Sequence, residues 1–207
     1  MEYQEAVSAR YSAYMLDDDI ASAGVTMDDV IRMLETMSPN VPSSFNAQSV
    51  RMVVLAGEDH RRFWAIVEDI LRRKVGDEQR FRKTEIKLRN FAKAAGTILF
   101  YEIDSSAASL AEQYPSYADA FPVWAEHGNA MMQFAVWTAM YDIGLGANIQ
   151  HYNPIVDDAV REEFGIPEGY RLVAQLVFGR IAGESERKDK LPGSAIVSVG
   201  HSNKGGL

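Results

Sequence analysis

The sequence contains no cysteine among its 207 residues, and this absence excludes disulfide bonds, catalysis by a thiol and cysteine-ligated metal sites. Histidine is also scarce: the four histidines are scattered along the chain without the spacing of metal ligands, which argues against a metal site. Basic residues are outnumbered, since 21 Lys and Arg stand against 29 Asp and Glu. The resulting net charge of −8 argues against a nucleic-acid surface, which requires a basic face.

Signals for export or membrane insertion are missing as well. The first twelve residues, MEYQEAVSARYS, carry early acids and no apolar core, so they do not have the pattern of a signal peptide. No repeat, low-complexity linker or break in composition divides the chain. These absences predict a cytoplasmic protein with neither membrane nor nucleic acid as a partner, folded as one domain over residues 1–207.

The longest apolar stretch of the sequence lies between Pro122 and Gly144. Proline suits the first turn of a helix and glycine the residue past its end, so the stretch predicts a helix over 122–143. Its few polar residues, Glu126, Asn129 and Gln133, fall on one narrow stripe. A helix that is apolar almost all round is buried, as the axis of a core or in a subunit interface, and we expect it to be the central helix of the fold.

Apolar periodicity and turn residues divide the rest of the chain. Thr26 and Asp29 have the spacing of a helix cap, and Asn153 and Pro154 have the types preferred where a helix begins. The predicted helices cover 2–9, 26–37, 59–75, 78–93, part of 105–121, 122–143 and 153–164. The predicted strands cover 50–55, 96–103 and 170–179, with a candidate last strand at 195–200 in an extended tail that starts near residue 181. This mixture predicts an α+β fold.

The first of three polar clusters is Arg10-Tyr11-Ser12, at the end of the first predicted helix. A guanidinium fork matches the geometry of a phosphate, and a hydroxyl two residues away supplies a further donor. Taken alone, an arginine at a helix end is more often simply solvated.

The second cluster is PSSFNAQ, at 42–48, just before the first core strand. Carboxamides both donate and accept hydrogen bonds, so Asn46 and Gln48 could recognise the edge of a heterocycle with alternating carbonyls and ring nitrogens. An ordinary turn, in which Ser and Asn cap local backbone groups, is the alternative.

The third cluster, GLGANIQH at 144–151, follows the central helix. Its glycines would let the backbone approach a flat ligand closely. It is not a dinucleotide fingerprint, because it lacks G-x-G-x-x-G and follows a helix instead of a strand. His151 by itself is more readily explained as a structural or pocket residue than as a general base.

In this order and spacing, the three clusters resemble the FMN-dependent nitroreductase family. An early R-x-S, a P-S-S-x-N-x-Q loop and a long buried helix running into G-L-G are the landmarks of that family. Together with Tyr14 and the NIQHYNP that follows GLGA, they resemble the short branch related to fungal fatty-acid-repression proteins. The resemblance implies an α+β sandwich with a central antiparallel-type sheet flanked by helices, and a homodimer built on the central helix.

The resemblance also implies one FMN at each of two sites in the dimer interface. The first cluster would hold the phosphate and ribityl end, the second would come from the other subunit, and the backbone of the third would face flavin N5. Many relatives carry a basic residue two positions after the serine of R-x-S, and this chain has Tyr14 at that position. The implied cofactor-binding residues are Arg10, Tyr11, Ser12, Pro42, Ser43, Ser44, Asn46, Gln48, Lys87, Asn90, Gln150, His151, Lys188 and Lys190.

The activity implied by this resemblance is ping-pong reduction, in which NADH or NADPH reduces the flavin and a nitroaromatic or quinone then takes the hydride. No acid or base from the protein is required, and the sequence contains no obvious catalytic dyad. Three alternatives stay open. One is a dehalogenating or flavin-cleaving enzyme with a lid at 104–121, another is a non-catalytic or regulatory FMN-binding protein, and the last is an interaction domain without cofactor.

Overall fold

A computed structural model describes residues 2–193 and Ile196. The helices are α1 (Tyr3–Ala9), α2 (Met27–Asn40), α3 (Gly57–Val75), α4 (Glu78–Phe91), α5 (Asp104–Gln113), α6 (Phe121–Asp142) and α7 (Asp157–Phe164). The strands are β1 (Leu16–Asp17), β2 (Val50–Ala56), β3 (Gly96–Ile103), β4 (Gly146–Gln150) and β5 (Tyr170–Ile181). Apart from Ile196, the candidate strand at 195–200 lies outside the described residues.

Within the described residues, one five-stranded sheet in which every strand pair is antiparallel forms the centre of the fold. β5 is the middle strand. One edge of β5 pairs with β3, which in turn pairs with β2, and the other edge pairs with β4 and then with β1. The three predicted strands are therefore confirmed, and the residues that follow the central helix form a further strand, β4.

Helices cover both faces of the sheet. Ile98 and Phe100 of β3 point towards α2 and α6, while Leu99 and Tyr101 point towards α3, α4 and α7. All seven residues from Gly96 to Glu102 are buried, because this strand has a hydrophobic core on each side. The predicted α+β sandwich with a helix-flanked antiparallel sheet is confirmed.

Of two helix starts predicted from local sequence patterns, one is present in the structure and the other is not. The capping box expected at Thr26 is present: its hydroxyl accepts from Asp29 N, and the Asp29 carboxylate accepts from Thr26 N. The start expected at Asn153 and Pro154 is wrong, because α7 begins at Asp157. Asn153 does not cap this helix; its Oδ1 instead accepts a hydrogen bond of 3.2 Å from Gln175 Nε2 on β5.

Helix α6 is the central helix, and the middle residue of its polar stripe lies in the core. Asn129 is completely buried, and its Nδ2 donates to the Tyr101 carbonyl (3.2 Å) and to Glu102 Oε2 (3.0 Å) on β3. The side that faces away from the sheet is apolar, with Met131 and Phe134 each 40% exposed. One side of α6 therefore belongs to the core, and the other is an uncovered apolar surface.

A buried hydrogen-bond chain fixes the protonation state of His60. The Phe91 carbonyl can only accept, so Nε2 of His60 carries the proton, and Nδ1 accepts from the Thr97 hydroxyl, both at 3.0 Å. Trp64 Nε1 donates to the same hydroxyl oxygen. Burial, which disfavours the charged ring, lowers the pKa of His60 to about 4.

This histidine should make folding sensitive to mild acid. The unfolded chain binds a proton near the ordinary pKa of 6.5, whereas the folded chain resists it until about pH 4. Stability should therefore fall by about 3 kcal/mol as the pH drops through that window. In His60→Gln the loss between pH 6.5 and 4, measured by urea denaturation, should be smaller by about this amount. An equal pH dependence in both proteins would contradict the assignment.

None of the helices in residues 2–193 combines the length and the hydrophobicity that a membrane span requires.

Candidate functional site

The first polar cluster lies directly beside the strand that contains the third. Ala13 N donates to the Ala147 carbonyl (3.1 Å), and Ser12 forms a parallel bridge with Ala147. Asn148, which is completely buried, donates from Nδ2 to the Ala13 carbonyl at 2.7 Å and accepts from Gln150 Nε2 at 2.8 Å. These bonds hold residues 10–13 against β4, so the structure brings together two of the three clusters.

The side chain of Arg10 is held by aromatic rings. Its guanidinium carbon lies 4.3 Å from the centre of the Trp137 ring and 5.8 Å from that of Phe134. The indole is fixed in turn, because Trp137 Nε1 donates to the Ala147 carbonyl. Arg10 Nε is buried, and it has no hydrogen-bond partner within residues 2–193. Arg10 is thus an oriented cation with unused donors, which is what an anionic ligand requires.

Tyr11 connects this segment to α6 and to the chain after β5. The Tyr141 hydroxyl donates to the Tyr11 carbonyl at 2.8 Å, and burial raises the pKa of Tyr141 to about 12. On its ring, Tyr11 carries the guanidinium of Arg187, 4.2 Å from the ring centre. Tyr14 N donates to Ser185 Oγ at 2.9 Å. The chain after β5 therefore places a second arginine beside the first cluster.

Arg187 was missed by the sequence reasoning, which selected its neighbours Lys188 and Lys190. Both lysines are exposed. The distinguishing contact joins two residues 176 positions apart, so only a general preference of arginine for aromatic faces could have indicated it.

Lys87 and Asn90 lie on α4, near the end of β4. The Lys87 ammonium stands 5.9 Å from the ring centre of Tyr152 and 5.3 Å from that of Phe91, and burial lowers its pKa. Asn90 Oδ1 accepts from Lys93 Nζ at 3.3 Å. Gln150 is buried at the end of β4, and His151 is exposed just beyond it.

The packing of the sheet explains why residue 146 is a glycine. A Cβ atom there would lie 2.5 Å from Ile181 Cγ1 and 2.9 Å from Leu16 Cδ2, so the neighbouring strands leave no room for a side chain. The glycine allows β1 and β5 to approach β4, which is a different role from the close approach to a flat ligand that the sequence suggested.

The second cluster folds into a compact loop with an unusual backbone. Phe45, Asn46 and Gln48 all have positive φ, at 53°, 54° and 46°, a conformation that is costly for residues other than glycine and asparagine. Ser43 organises the loop, because its carbonyl accepts from Asn46 N and its Oγ accepts from Gln48 N, both at 3.0 Å. Gln48 Nε2 donates to Asn46 Oδ1 at 2.9 Å. Such strain is concentrated at functional sites.

This loop forms one wall of an open cleft of about 560 Å³. Arg51 also lines the cleft and donates from Nη1 to the Gln48 carbonyl at 2.7 Å. Ser44 lines a smaller cavity on the other side of the loop. The four predicted site residues that line the cleft are Pro42, Ser43, Asn46 and Gln48.

Within one chain, the cleft and the Arg10 segment are separate surfaces of α6. The loop lies against Gly128, where an added Cβ atom would come 3.6 Å from Ser43 Cβ, whereas Arg10 lies on Trp137. Nine residues of helix separate these positions by about 13 Å along the axis and by roughly half a turn around it. Within one chain, the first and second clusters therefore lie on different sides of α6.

Groups for metal binding are not assembled in the part of the chain that the structure describes, since no three His, Asp or Glu side chains there are grouped to hold an ion. What the site offers instead is arginines on aromatic rings, buried amides and hydroxyls. These groups suit a phosphate and a polar heterocycle.

Comparisons with known proteins give a consistent result. A family model described as "Nitroreductase family" matches residues 7–180. The nitroreductase FRM2 of Saccharomyces cerevisiae is 32% identical over 199 residues, which cover 96% of this chain and 97% of FRM2. The nitroreductase CinD of Lactococcus lactis, solved with chloramphenicol, is 33% identical with a TM-score of 0.87, covering 97% of this chain and 100% of CinD.

Two further structures are informative. CinD has also been solved with 4-nitrophenol, with a TM-score of 0.85 and 34% identity over 97% of this chain and 100% of CinD. A structure from Exiguobacterium sibiricum in complex with FMN shares the fold, with a TM-score of 0.70 and 15% identity over 96% of this chain and 97% of the other.

Proposed function

The chain belongs to the nitroreductase family, and from that premise we propose that it is an FMN-dependent oxidoreductase that uses NADH or NADPH to reduce nitroaromatic compounds or quinones. The observation that carries the proposal is the state of Arg10, a cation fixed on Trp137 with a buried Nε that has no partner among the described residues. Such a group is expected where a phosphate binds.

The residues of the first and third clusters fit one end of FMN. Arg10 on Trp137 and Arg187 on the ring of Tyr11 supply two positive charges, and Ser12 supplies a hydroxyl, so we assign the phosphate to this position. Lys188 and Lys190 remain candidates for further phosphate contacts. Tyr11, Lys87, Asn90, Gln150 and His151 would surround the ribityl chain and one edge of the ring system.

The loop fits the other end of the cofactor. We propose that Pro42, Ser43, Ser44, Asn46 and Gln48 are contributed by the second subunit, because in one chain they lie on a different side of α6 from Arg10. The free hydrogen-bonding capacity of Ser43, Asn46 and Gln48 would then be directed at the carbonyls and nitrogens of the isoalloxazine.

A homodimer built on α6 is part of this proposal. The uncovered side of the helix continues into an apolar groove of about 370 Å³, which is lined by Tyr3, Phe134, Ala135 and Ala139 among others. The hydroxyl of Thr138 in this groove is buried and has no hydrogen-bond partner among the described residues. An apolar helix face of this kind is stable when another surface covers it. A second copy of the chain would do so.

When bound, the flavin supplies hydride transfer at N5, from NAD(P)H and then to the acceptor. The contribution of the protein is to hold the ring, to exclude water from its face and to stabilise the charge that develops. No side chain is assigned as a proton donor. The complexes of CinD with chloramphenicol and 4-nitrophenol support a nitroaromatic acceptor, and we place the reaction in the cytoplasm, where nicotinamide cofactors are available.

The test of this activity is steady-state kinetics with purified protein and FMN. NADH or NADPH oxidation should depend on an added nitroaromatic or quinone, and varying both substrates should give the parallel reciprocal plots of a ping-pong mechanism. Bound FMN without acceptor-dependent oxidation would favour the non-catalytic alternative. Release of halide, or cleavage of the flavin itself, would identify the specialised enzyme.

A further inference from the structure

The loop that we assign to the cofactor is attached to the rest of the molecule by an aromatic side chain. The ring of Phe45 is surrounded by Tyr114 and Phe121 at 4.8 and 5.2 Å between centres, and by Tyr117 and Trp124 at 6.0 and 6.1 Å. Aromatic pairs attract one another at these separations. We call these five residues the aromatic cluster.

The aromatic cluster lies on the opposite side of the loop from the cleft. Ser43, Asn46 and Gln48 line the cleft, whereas none of the five cluster members does. On the far side, a narrow cavity lies between Ser44 of the loop and two of the rings, Phe121 and Trp124. One side of the loop therefore faces the polar cleft, and the other side packs against the aromatic rings.

Phe45 is also the first of the three residues with positive φ, and a bulky side chain seldom adopts that backbone conformation. The local hydrogen bonds of the loop do not involve the Phe45 side chain. The backbone hydrogen bonds from Asn46 N and Ala47 N close the turn around Phe45, and contact with four rings adds to them in favouring this conformation over an extended one. The rings belong to the segment between α5 and the start of α6.

We propose that Phe45 is a positioning residue: its packing in the aromatic cluster fixes the left-handed turn that aims Ser43, Asn46 and Gln48 at the cofactor. This inference rests on the proposed function. It also gives Tyr114 and Tyr117, which lie between α5 and α6, a role in supporting the loop on the side away from the cleft.

The test compares FMN affinity, measured by quenching of flavin fluorescence, in full-length variants. Phe45→Ala should weaken FMN binding by about tenfold. The variant loses the ring contacts that stabilise the loop, while alanine still bears the conformational cost of a positive φ at this position. Phe45→Tyr, which keeps the ring, should bind nearly as well as wild type. Val75→Ala, at an exposed apolar position on α3, is the matched control and should leave affinity unchanged.

A second variant separates positioning from stability. Tyr117 is 49% exposed, so Tyr117→Ala should fold and still weaken FMN binding, and its effect should not add fully to that of Phe45→Ala. At saturating FMN the variants should recover the wild-type kcat. Urea midpoints should change little, which a merely structural role would not predict.

The outcomes distinguish the two proposals. If wild type takes up no FMN, the proposed function fails and this inference fails with it. If wild type binds FMN and folded Phe45→Ala and Tyr117→Ala bind it within about twofold of wild type, the aromatic cluster does not position the loop and only this inference is overturned.

Discussion

Replacing Arg10 by alanine is expected to weaken FMN binding by about tenfold to a hundredfold, because a charge-assisted contact with phosphate is worth about 1.5–3 kcal/mol. Arg10→Lys should recover only part of the loss, since an ammonium keeps the charge but not the planar fork. The stacking of the guanidinium on Trp137 would be lost as well. The measurement is a titration of each apo-protein with FMN.

Riboflavin provides the control for this experiment, because it has the same ring system without the phosphate. Wild type and Arg10→Ala should bind riboflavin about equally, and the two ligands and two proteins together form a cycle that isolates the phosphate contact. Arg187→Ala should also weaken FMN binding selectively, and more than Lys188→Ala. If riboflavin affinity falls as far as FMN affinity, Arg10 is not a phosphate ligand.

A charge placed on the uncovered face of α6 should break the proposed homodimer. Ala139 lines the apolar groove, so Ala139→Arg would place an unpaired guanidinium in the proposed interface. A buried charge without a partner costs about 3–5 kcal/mol, which corresponds to a loss of at least about a hundredfold in dimer affinity. Light scattering should give twice the chain mass of 23.1 kDa for wild type and a single chain mass for the variant.

Cofactor retention should fall in the same variant, because in the proposed dimer each site combines the loop of one chain with Arg10 of the other. Val75→Arg, at the exposed end of α3 on the opposite face of the sheet, is the matched control and should remain dimeric with FMN bound. A wild-type protein that is monomeric at micromolar concentration would contradict the dimer. An Ala139→Arg monomer that keeps FMN would contradict the shared site.

The sequence predicted most of the fold because its patterns are local. The capping box at Thr26, the strand at 96–103 and the long apolar helix before Gly144 each depend on residues that are close together in the chain, and each is present in the structure. The family prediction is confirmed by the match to the nitroreductase family model and by the sequence identity with FRM2. It depended on the order of three short clusters, none of which would have been specific alone.

The predictions that failed depended on contacts between distant residues. The start of α7 was misplaced because Asn153 pairs with Gln175, on a strand more than twenty positions later. The sequence also did not indicate that the polar stripe of α6 reaches into the core, where Asn129 pairs with Glu102 of β3. Periodicity shows that a helix has two sides and does not show which side packs inwards.

The candidate site was predicted in outline and not in its supporting contacts. The cluster PSSFNAQ indicated hydrogen-bonding groups, whereas its left-handed backbone and the aromatic cluster behind it depend on tertiary packing. Arg187 was missed because its contact with Tyr11 spans most of the chain. The residues assigned to the cofactor remain predictions that the variants described above would test.

The most direct test of the proposed function is the visible absorption spectrum of the purified protein, before and after incubation with FMN and removal of unbound flavin. The arrangement of Arg10, the loop and β4 predicts a yellow protein that retains about one FMN per chain, since each of the two shared sites of a dimer would hold one. A colourless protein that also fails to retain added FMN would contradict the proposed cofactor, and with it the proposed activity.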